Sequence, residues 1–307
     1  MTAPVTQEQI VEAAIRIEGH VLSSPATRST AFGRSMQLKF ENMQPTGSFK
    51  VRGAFNTLLA SDVPAAGIVA ASGGNHGAAV AHAARALGHR ATIFVPEMAG
   101  PSKIALIRET GADLHVVSGV YAEALAQAQG FEQETGAMQV HAYDAPLTVA
   151  GQGTFLREWE EQGLEADTVV IAVGGGGLIA GALAWNDGRR KIVAVEPEKA
   201  PTLNAALANG GPVQVEVGGI AANALGASKI GQICFDLARN KGVDSVLVPD
   251  EAIADAQRQL WQKHRQWVEP AGAAALAAIL SGAYSPEKDE RVAVLVCGAN
   301  PAPGPFD

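Results

Sequence analysis

Lys50 stands beside Phe49 in a stretch of Gly, Ser, Thr and Phe that is otherwise nearly uncharged. A lysine drawn partly out of water loses some of its preference for the charged form, and its neutral amine can act as a Schiff-base nucleophile. The plain alternative is a surface lysine with its head in water. Three segments read as strand ends running into glycine-rich or small-residue turns: SGGNHG (72–77), VGGGGL (173–178) and VCGAN (296–300). Ligands of open parallel sheets bind beyond the carboxyl ends of the strands. Glycine there lets backbone N–H groups approach an anion, and a following helix adds the positive end of its dipole. Gly174, Gly175, Gly176 and Gly177 therefore form a candidate phosphate cradle. A turn that only packs a helix closely is the competing reading. No strict GxGxxG follows a strand and GxxxxGK[ST] is absent, which disfavours a nucleotide-binding Rossmann or P-loop site.

The elements that must position these residues follow from periodicity. Residues 7–22 carry Ile10, Val11, Ala14, Ile15 and Ile17 at helical spacing. A short strand is expected at 37–40, then a Pro/Gly turn, then a helix to about residue 60 with Ser48 as its N-cap. From residue 67 strand and helix alternate. Strands are expected at 68–71, 91–95, 113–117 and from 140–141, with helices at 78–87, 102–110 and 121–130. The second half continues with strands at 168–173, 191–196, 245–248 and 291–296, and helices at 153–161, 178–185, 250–264 and 270–280. Residues 201–230 give no clear period, and 301–307 are a Pro-rich tail. Such alternation implies parallel, doubly wound sheets.

Composition bounds the rest. The 307 residues suffice for two domains or one large α/β unit, and 47% hydrophobic against 18% charged residues rules out a disordered chain. The net charge of −8 argues against nucleic acid or an anionic membrane as partner. Two distant cysteines, Cys234 and Cys297, exclude a disulfide scaffold and a Cys-rich zinc site and suit a reducing compartment. No apolar run reaches membrane-spanning length and the N-terminus lacks a signal-peptide pattern, so a cytoplasmic protein is expected.

Seven motifs occur in order: ENMQPTGSFKVRGA (41–54), ASGGNHG (71–77), AGQGT (150–154), VGGGGL (173–178), VEP (195–197), EPAGA (269–273) and CGAN (297–300). The whole chain resembles the fold-type II pyridoxal-phosphate (PLP) enzymes, on the serine/threonine dehydratase and serine racemase branch. The resemblance implies a tryptophan synthase β-like α/β fold of two parallel-sheet, three-layer domains, the smaller (67–144) inserted in the larger (1–60 and 146–307). It implies pyridoxal 5'-phosphate as cofactor, an amino acid as substrate and a homodimer as assembly.

By that resemblance Lys50 would hold the cofactor as a Schiff base and later take the substrate α-proton. Phe49 would pack on the ring, Asn75 would hydrogen-bond its 3-oxygen, and the four glycines would hold the phosphate. Ser72, Gly73, Gly74, Asn75 and His76 would receive the substrate carboxylate, with His76 alternatively only ordering the loop. Cys297 would face the pyridine nitrogen. A thiol, with a reference pKa of about 8.5, donates a hydrogen bond there without protonating the ring, which weakens the electron sink and favours prompt loss of a β-substituent. Glu269 would lie near the ring or the leaving hydroxyl, or else serve the helix start before Pro270.

The implied reaction is β-elimination from a 3-hydroxy L-amino acid such as L-threonine or L-serine, or a bulkier one such as phenylserine, giving a 2-oxo acid and ammonia. β-Replacement and racemisation are the alternatives. Racemases of this branch carry a serine where this chain has Gly73, so elimination is expected to dominate. Eukaryotic-type members bind a divalent cation. Glu196 and Ala200 match its first two ligands, but Thr202 stands at the third, so no tight metal site is expected. Segment 218–228 lacks the Ala-Asp-Gly pattern of close relatives, with Asn223 in the place of the acid. No C-terminal regulatory domain is expected after CGAN.

Overall fold

The computed structural model describes residues 5–99, 101–119 and 121–300; the tail 301–307 lies outside the described residues. The chain runs α1 (Gln7–Arg16), β1 (Ala26–Ser29), β2 (Met36–Phe40), α2 (Lys50–Leu59), β3 (Ile68–Ala71), α3 (Asn75–Ala86), β4 (Ala91–Pro96), α4 (Pro101–Glu109), β5 (Asp113–Val117), α5 (Tyr121–Thr135) and β6 (Met138–Gln139). It continues α6 (Pro146–Glu161), β7 (Thr168–Ala172), α7 (Gly177–Asn186), β8 (Lys191–Pro197), α8 (Thr202–Asn209), α9 (Ala222–Leu225), α10 (Gln232–Lys241), β9 (Asp244–Val248), α11 (Asp250–His264), α12 (Pro270–Ser281) and β10 (Val292–Val296).

Two sheets result. One has the order β1-β2-β10-β7-β8-β9, the other β5-β4-β3-β6. Every pairing is parallel except β1 with β2, an edge pair that periodicity does not announce. The central strands β7 (TVVIA) and β10 (VAVLV) are buried along their whole length. That is why they read as continuous apolar runs: helices cover both faces of the sheet. Ala-rich α12 packs against this sheet and is buried from Ala271 to Ala278.

The AGQGT motif packs helices. A Cβ on Gly151 would lie 2.6 Å from the Arg52 carbonyl oxygen of α2, and one on Gly181 would lie 2.4 Å from the Gly153 nitrogen. Glycine lets α2, α6 and α7 touch backbone to backbone, and α2 carries Lys50 at its first position.

Several boundaries differ from the periodic reading, each for a local reason. Helix α1 starts at a capping box, Thr6 with Gln9, but stops at Arg16, six residues early, where Gly19 turns the chain at φ 79°. Helix α6 begins at Pro146, not 153: proline at its first turn pre-sets the dihedral, and Gly151 and Gly153 are contacts inside the helix. The strand expected at 140–141 is β6, Met138–Gln139, because its register is fixed by Ile68 and Val69 of β3. Ser48 is no N-cap. It is extended, bridges Gly298 across a short antiparallel contact, and Phe49 stands at the cap position. The unread stretch 201–230 holds α8 and α9, and α10 follows it. Among the described residues no helix is long and apolar enough to cross a membrane.

Candidate active site

The site lies where the carboxyl ends of β10, β7 and β3 face α2. The turn before α2 is stapled to the end of β10. Phe49 N–H donates to the Cys297 carbonyl (3.2 Å), Ala299 N–H to the Gly47 carbonyl (2.8 Å), and the Asn300 amide to the Thr46 carbonyl (2.7 Å). Thr46 and Gly47 both sit at positive φ, 66° and 73°. A threonine there costs on the order of 1–3 kcal/mol, and the three bonds hold it. The result places Lys50 beside Cys297.

Behind α2 a buried ion network anchors the same helix. Arg52 donates to both oxygens of Glu41 (2.7 Å each) and to Glu158 (2.9 Å). Lys39 donates to Glu158, the Ser24 carbonyl and Gln162. Burial pushes the Glu41 carboxyl up, and Arg52 and Lys39 outweigh it, holding the group below the ordinary carboxylate range.

Phe49, Lys50, Asn75, Gly174, Gly175, Gly176, Gly177, Glu269 and Cys297 line one cleft together with Tyr143 and Leu225. Lys50 Nζ donates to the Ala142 carbonyl at 2.8 Å. Burial brings its pKa down to about 8, with Cys297 and Glu269 opposing the fall. Cys297 is buried, donates its thiol to the Ala271 carbonyl at 3.3 Å, and is pushed up by burial, so it stays protonated. Cys234 is free and buried too, behind Gly176.

The turn 174–177 joins β7 to α7. Its carbonyls are taken: Gly174 accepts from the Thr202 hydroxyl (2.7 Å), Gly175 from Gly231 N–H and Gly176 from Ala180 N–H. Its amides carry no hydrogen bond among the described residues. Gly176 has φ 93°, and a Cβ on Gly175 would lie 2.3 Å from the Tyr143 ring. Free amides, a helix N-terminus and no room for side chains fit a phosphate, and Lys50 across the cleft fits an aldehyde. The donor set suits pyridoxal phosphate.

The loop 72–76 leads from β3 into α3, which begins at Asn75, three residues before the expected start. The Ser72 hydroxyl accepts from Gly74 N–H. His76 is buried, its Nε2 lies 2.9 Å from the Val140 carbonyl, and burial lowers its pKa to about 3. It is neutral, and a carbonyl partner requires Nε2 to be the donor. The ring ties the loop to the segment after β6 and does not face the cleft. Gly73 has no room for a side chain: a Cβ there would meet the Ala99 Cβ at 2.3 Å.

Glu269 stands at the N-cap of α12, yet its carboxylate makes no cap bond. One oxygen accepts from the Asn75 amide, and Asn300 donates to the Asn75 Oδ1 at 2.7 Å. Gly298 leaves the room Glu269 needs. Glu196 is placed elsewhere. Its oxygens accept from Leu203 N–H and Asn204 N–H, with the Thr202 hydroxyl oxygen 3.0 Å from Oε1, so it caps α8, and burial lifts its pKa to about 7. The Ala200 carbonyl is taken by Thr202 N–H. No cluster of metal-ligating side chains occurs among the described residues.

Three residues escaped the sequence reading: Tyr143, Asn300 and Lys103. Tyr143 sits in no glycine turn, and Asn300 is the last letter of a recognised motif without an assigned role. Lys103 is buried one helical turn before Ile107, on the same face of α4. That i, i+4 spacing with an apolar residue was the available signal.

The chain is similar to known proteins over nearly its whole length. Residues 17–298 match the family model described as "Pyridoxal-phosphate dependent enzyme". An L-threonine ammonia-lyase of Thermotoga maritima is 36% identical, over 96% of this chain and 76% of that protein. A phenylserine dehydratase of Ralstonia pickettii is 35% identical, over 93% and 90%. The structure of maize serine racemase superposes with a TM-score of 0.91 at 31% identity, covering 97% and 94%. The chain belongs to the pyridoxal-phosphate dependent enzymes, in the fold-type II architecture that its motifs imply.

Proposed function

We propose that the protein dehydrates and deaminates a 3-hydroxy L-amino acid, L-threonine, L-serine or a bulkier one such as phenylserine, to a 2-oxo acid and ammonia. The observation that carries this is Lys50. Its amine, lowered to about 8 by burial, faces the glycine cradle from beside a protonated Cys297. The bound cofactor supplies the electron sink for the charge left when Cα–H is lost. Lys50 holds the cofactor and, once freed, takes the α-proton. Its ammonium form then returns a proton to the departing hydroxyl, which leaves as water. The amides of 174–177 would hold the phosphate, Asn75 would donate to the ring oxygen, and the Cys297 thiol would turn from the Ala271 carbonyl to serve the ring nitrogen. The start of α3 at 72–76 receives the substrate carboxylate, which a helix N-terminus favours.

Gly73 argues against racemisation. It has no proton to exchange on the second face, and Ala99 fills the place of a side chain. Two domains, 67–144 inserted between 1–60 and 146–307, a homodimer and a cytoplasmic location complete the proposal. The test is 2-oxo acid formation by cofactor-loaded protein from L-threonine, L-serine, threo-3-hydroxyaspartate and L-threo-phenylserine. One preferred substrate is expected, and Lys50→Ala should remove both the yellow absorbance and all turnover. No 2-oxo acid from any of the four by yellow protein would overturn elimination and point to β-replacement. Comparable D-serine formation would restore the racemase.

A further inference from the structure

Lys103 reaches the site from the four-stranded sheet's side, and the reaction above gives it no part. It is 5% exposed. Its Nζ donates to the Asn223 carbonyl at 3.1 Å and lies 3.7 Å from Glu269 Oε2. A Cβ on Gly74 would also lie 3.7 Å from it, so the ammonium overlies the loop at the start of α3.

Glu269 is 1% exposed. Its Oε1 accepts from Asn75, but its Oε2 is buried with no hydrogen-bond partner. At 3.7 Å Lys103 gives that oxygen charge and not a bond. Asn75 in turn has its Oδ1 taken by Asn300 and one N–H taken by Glu269. An amide carries two N–H donors, so the second is free for the cleft that Asn75 lines.

This arrangement depends on the charge of Glu269. An ionised carboxylate only accepts, so it fixes which end of Asn75 faces it. A protonated one can donate as well, and the amide then keeps only the hold of Asn300 on its Oδ1. Burial pushes the Glu269 carboxyl up toward the neutral form, and the nearby Lys103 is the first of the groups that oppose it. The charged and titratable groups facing Glu269 are Lys103 on α4, Lys50 at the head of α2 and Cys297 at the end of β10. Lys50 is engaged by the cofactor and Cys297 stays protonated, which leaves Lys103, 3.7 Å away, as the counter-charge.

We propose that Lys103 is a positioning residue that keeps Glu269 a carboxylate and, through it, holds the donor end of Asn75 toward the cofactor ring. This rests on the elimination reading above. The test compares wild type with Lys103→Met, Lys103→Arg and Glu269→Gln. Two quantities are read in cofactor-loaded protein: the acid limb of kcat/KM, and the pH titration of the yellow band without substrate. Removing a neighbouring opposite charge raises a carboxyl pKa by about 1–3 units. Lys103→Met should therefore move the acid limb and the band titration upward by at least about one pH unit. Activity should fall below neutral pH and recover as pH rises. Lys103→Arg, which keeps the charge, should restore most of the limb. Glu269→Gln should abolish it.

A Lys103→Met protein with the wild-type limb and band titration would overturn the proposal. If Lys103→Met does not fold, Glu269→Gln decides: an acid limb that survives there is not set by this pair. If wild type makes no 2-oxo acid, elimination fails on its own, and the band titration still tests Lys103.

Discussion

Two buried charge clusters flank the helix that carries Lys50, and they are built differently. Behind it, Arg52, Lys39, Glu41 and Glu158 balance two cations against two anions, and both oxygens of Glu41 and of Glu158 accept hydrogen bonds. In front, Lys103 and Glu269 are as deeply buried, yet Glu269 keeps one oxygen without a hydrogen bond and the pair stands 3.7 Å apart. A saturated network has nothing left to offer a ligand and serves to fix a unique arrangement. A half-saturated pair at a cleft still has capacity for one. The difference separates scaffold from site without reference to motifs, since ENMQPTGSFKVRGA contributes Glu41 and Arg52 to one and Lys50 to the other.

Breaking the rear cluster should have the largest effect, and on stability. Arg52→Met leaves Glu41 buried with no guanidinium, and removing one partner of a buried pair costs about 3–5 kcal/mol. The denaturant midpoint of the apoprotein should drop steeply. Whatever fraction folds should still turn yellow, because Arg52 does not line the cleft. Loss of cofactor binding with an unchanged midpoint would erase the distinction between the clusters.

On the front side the effects should fall on ligand and not on fold. Gly175→Ala places a methyl 2.3 Å from the Tyr143 ring. Overpacking of this kind costs about 1–3 kcal/mol, which corresponds to about a 5- to 150-fold loss if it falls on cofactor affinity. Titrating apoprotein with pyridoxal phosphate measures it. An equal loss in the denaturant midpoint would mean that the turn is a packing device, the competing reading of the glycines.

How much of this could be read from the chain alone depended on whether a role is local. The strands β7 and β10 and the helices α11 and α12 showed because burial writes a period into consecutive residues. The glycine turns and Lys50 showed because close approach and desolvation leave unusual local composition. Glu196 misled because a buried carboxylate after a strand suits either a cation or a helix start, and only the fold reveals that α8 presents its amides to it. The roles of Lys103 and Asn300 were silent because their partners lie far away in sequence, 166 residues on at Glu269 for Lys103 and 225 residues back at Asn75 for Asn300. Asn75 and Glu269 were named from motifs, but that one holds the other was visible in neither.

The smallest effect concerns Lys50 before any cofactor is bound, and it tests whether the front of α2 is dry. Only a neutral amine adds to an aldehyde. With its pKa near 8 the neutral fraction of Lys50 rises about tenfold between pH 7 and pH 9 and then levels off. A water-exposed lysine, with a reference value of about 10.4, would instead gain nearly a hundredfold over that interval and continue to climb. The sign follows from burial, which disfavours the ammonium and so moves the rise to lower pH. Rapid mixing of apoprotein with pyridoxal phosphate, followed by the growth of the yellow band, separates the two curves. Arg52→Met should leave the midpoint of the rise near pH 8, since the groups that set the pKa of the amine lie on the front side. Lys103→Met should move it slightly downward, because a Glu269 that has lost its counter-charge is protonated and no longer supports the Lys50 ammonium. A midpoint that followed Arg52 and ignored Lys103 would reverse the assignment of the two clusters.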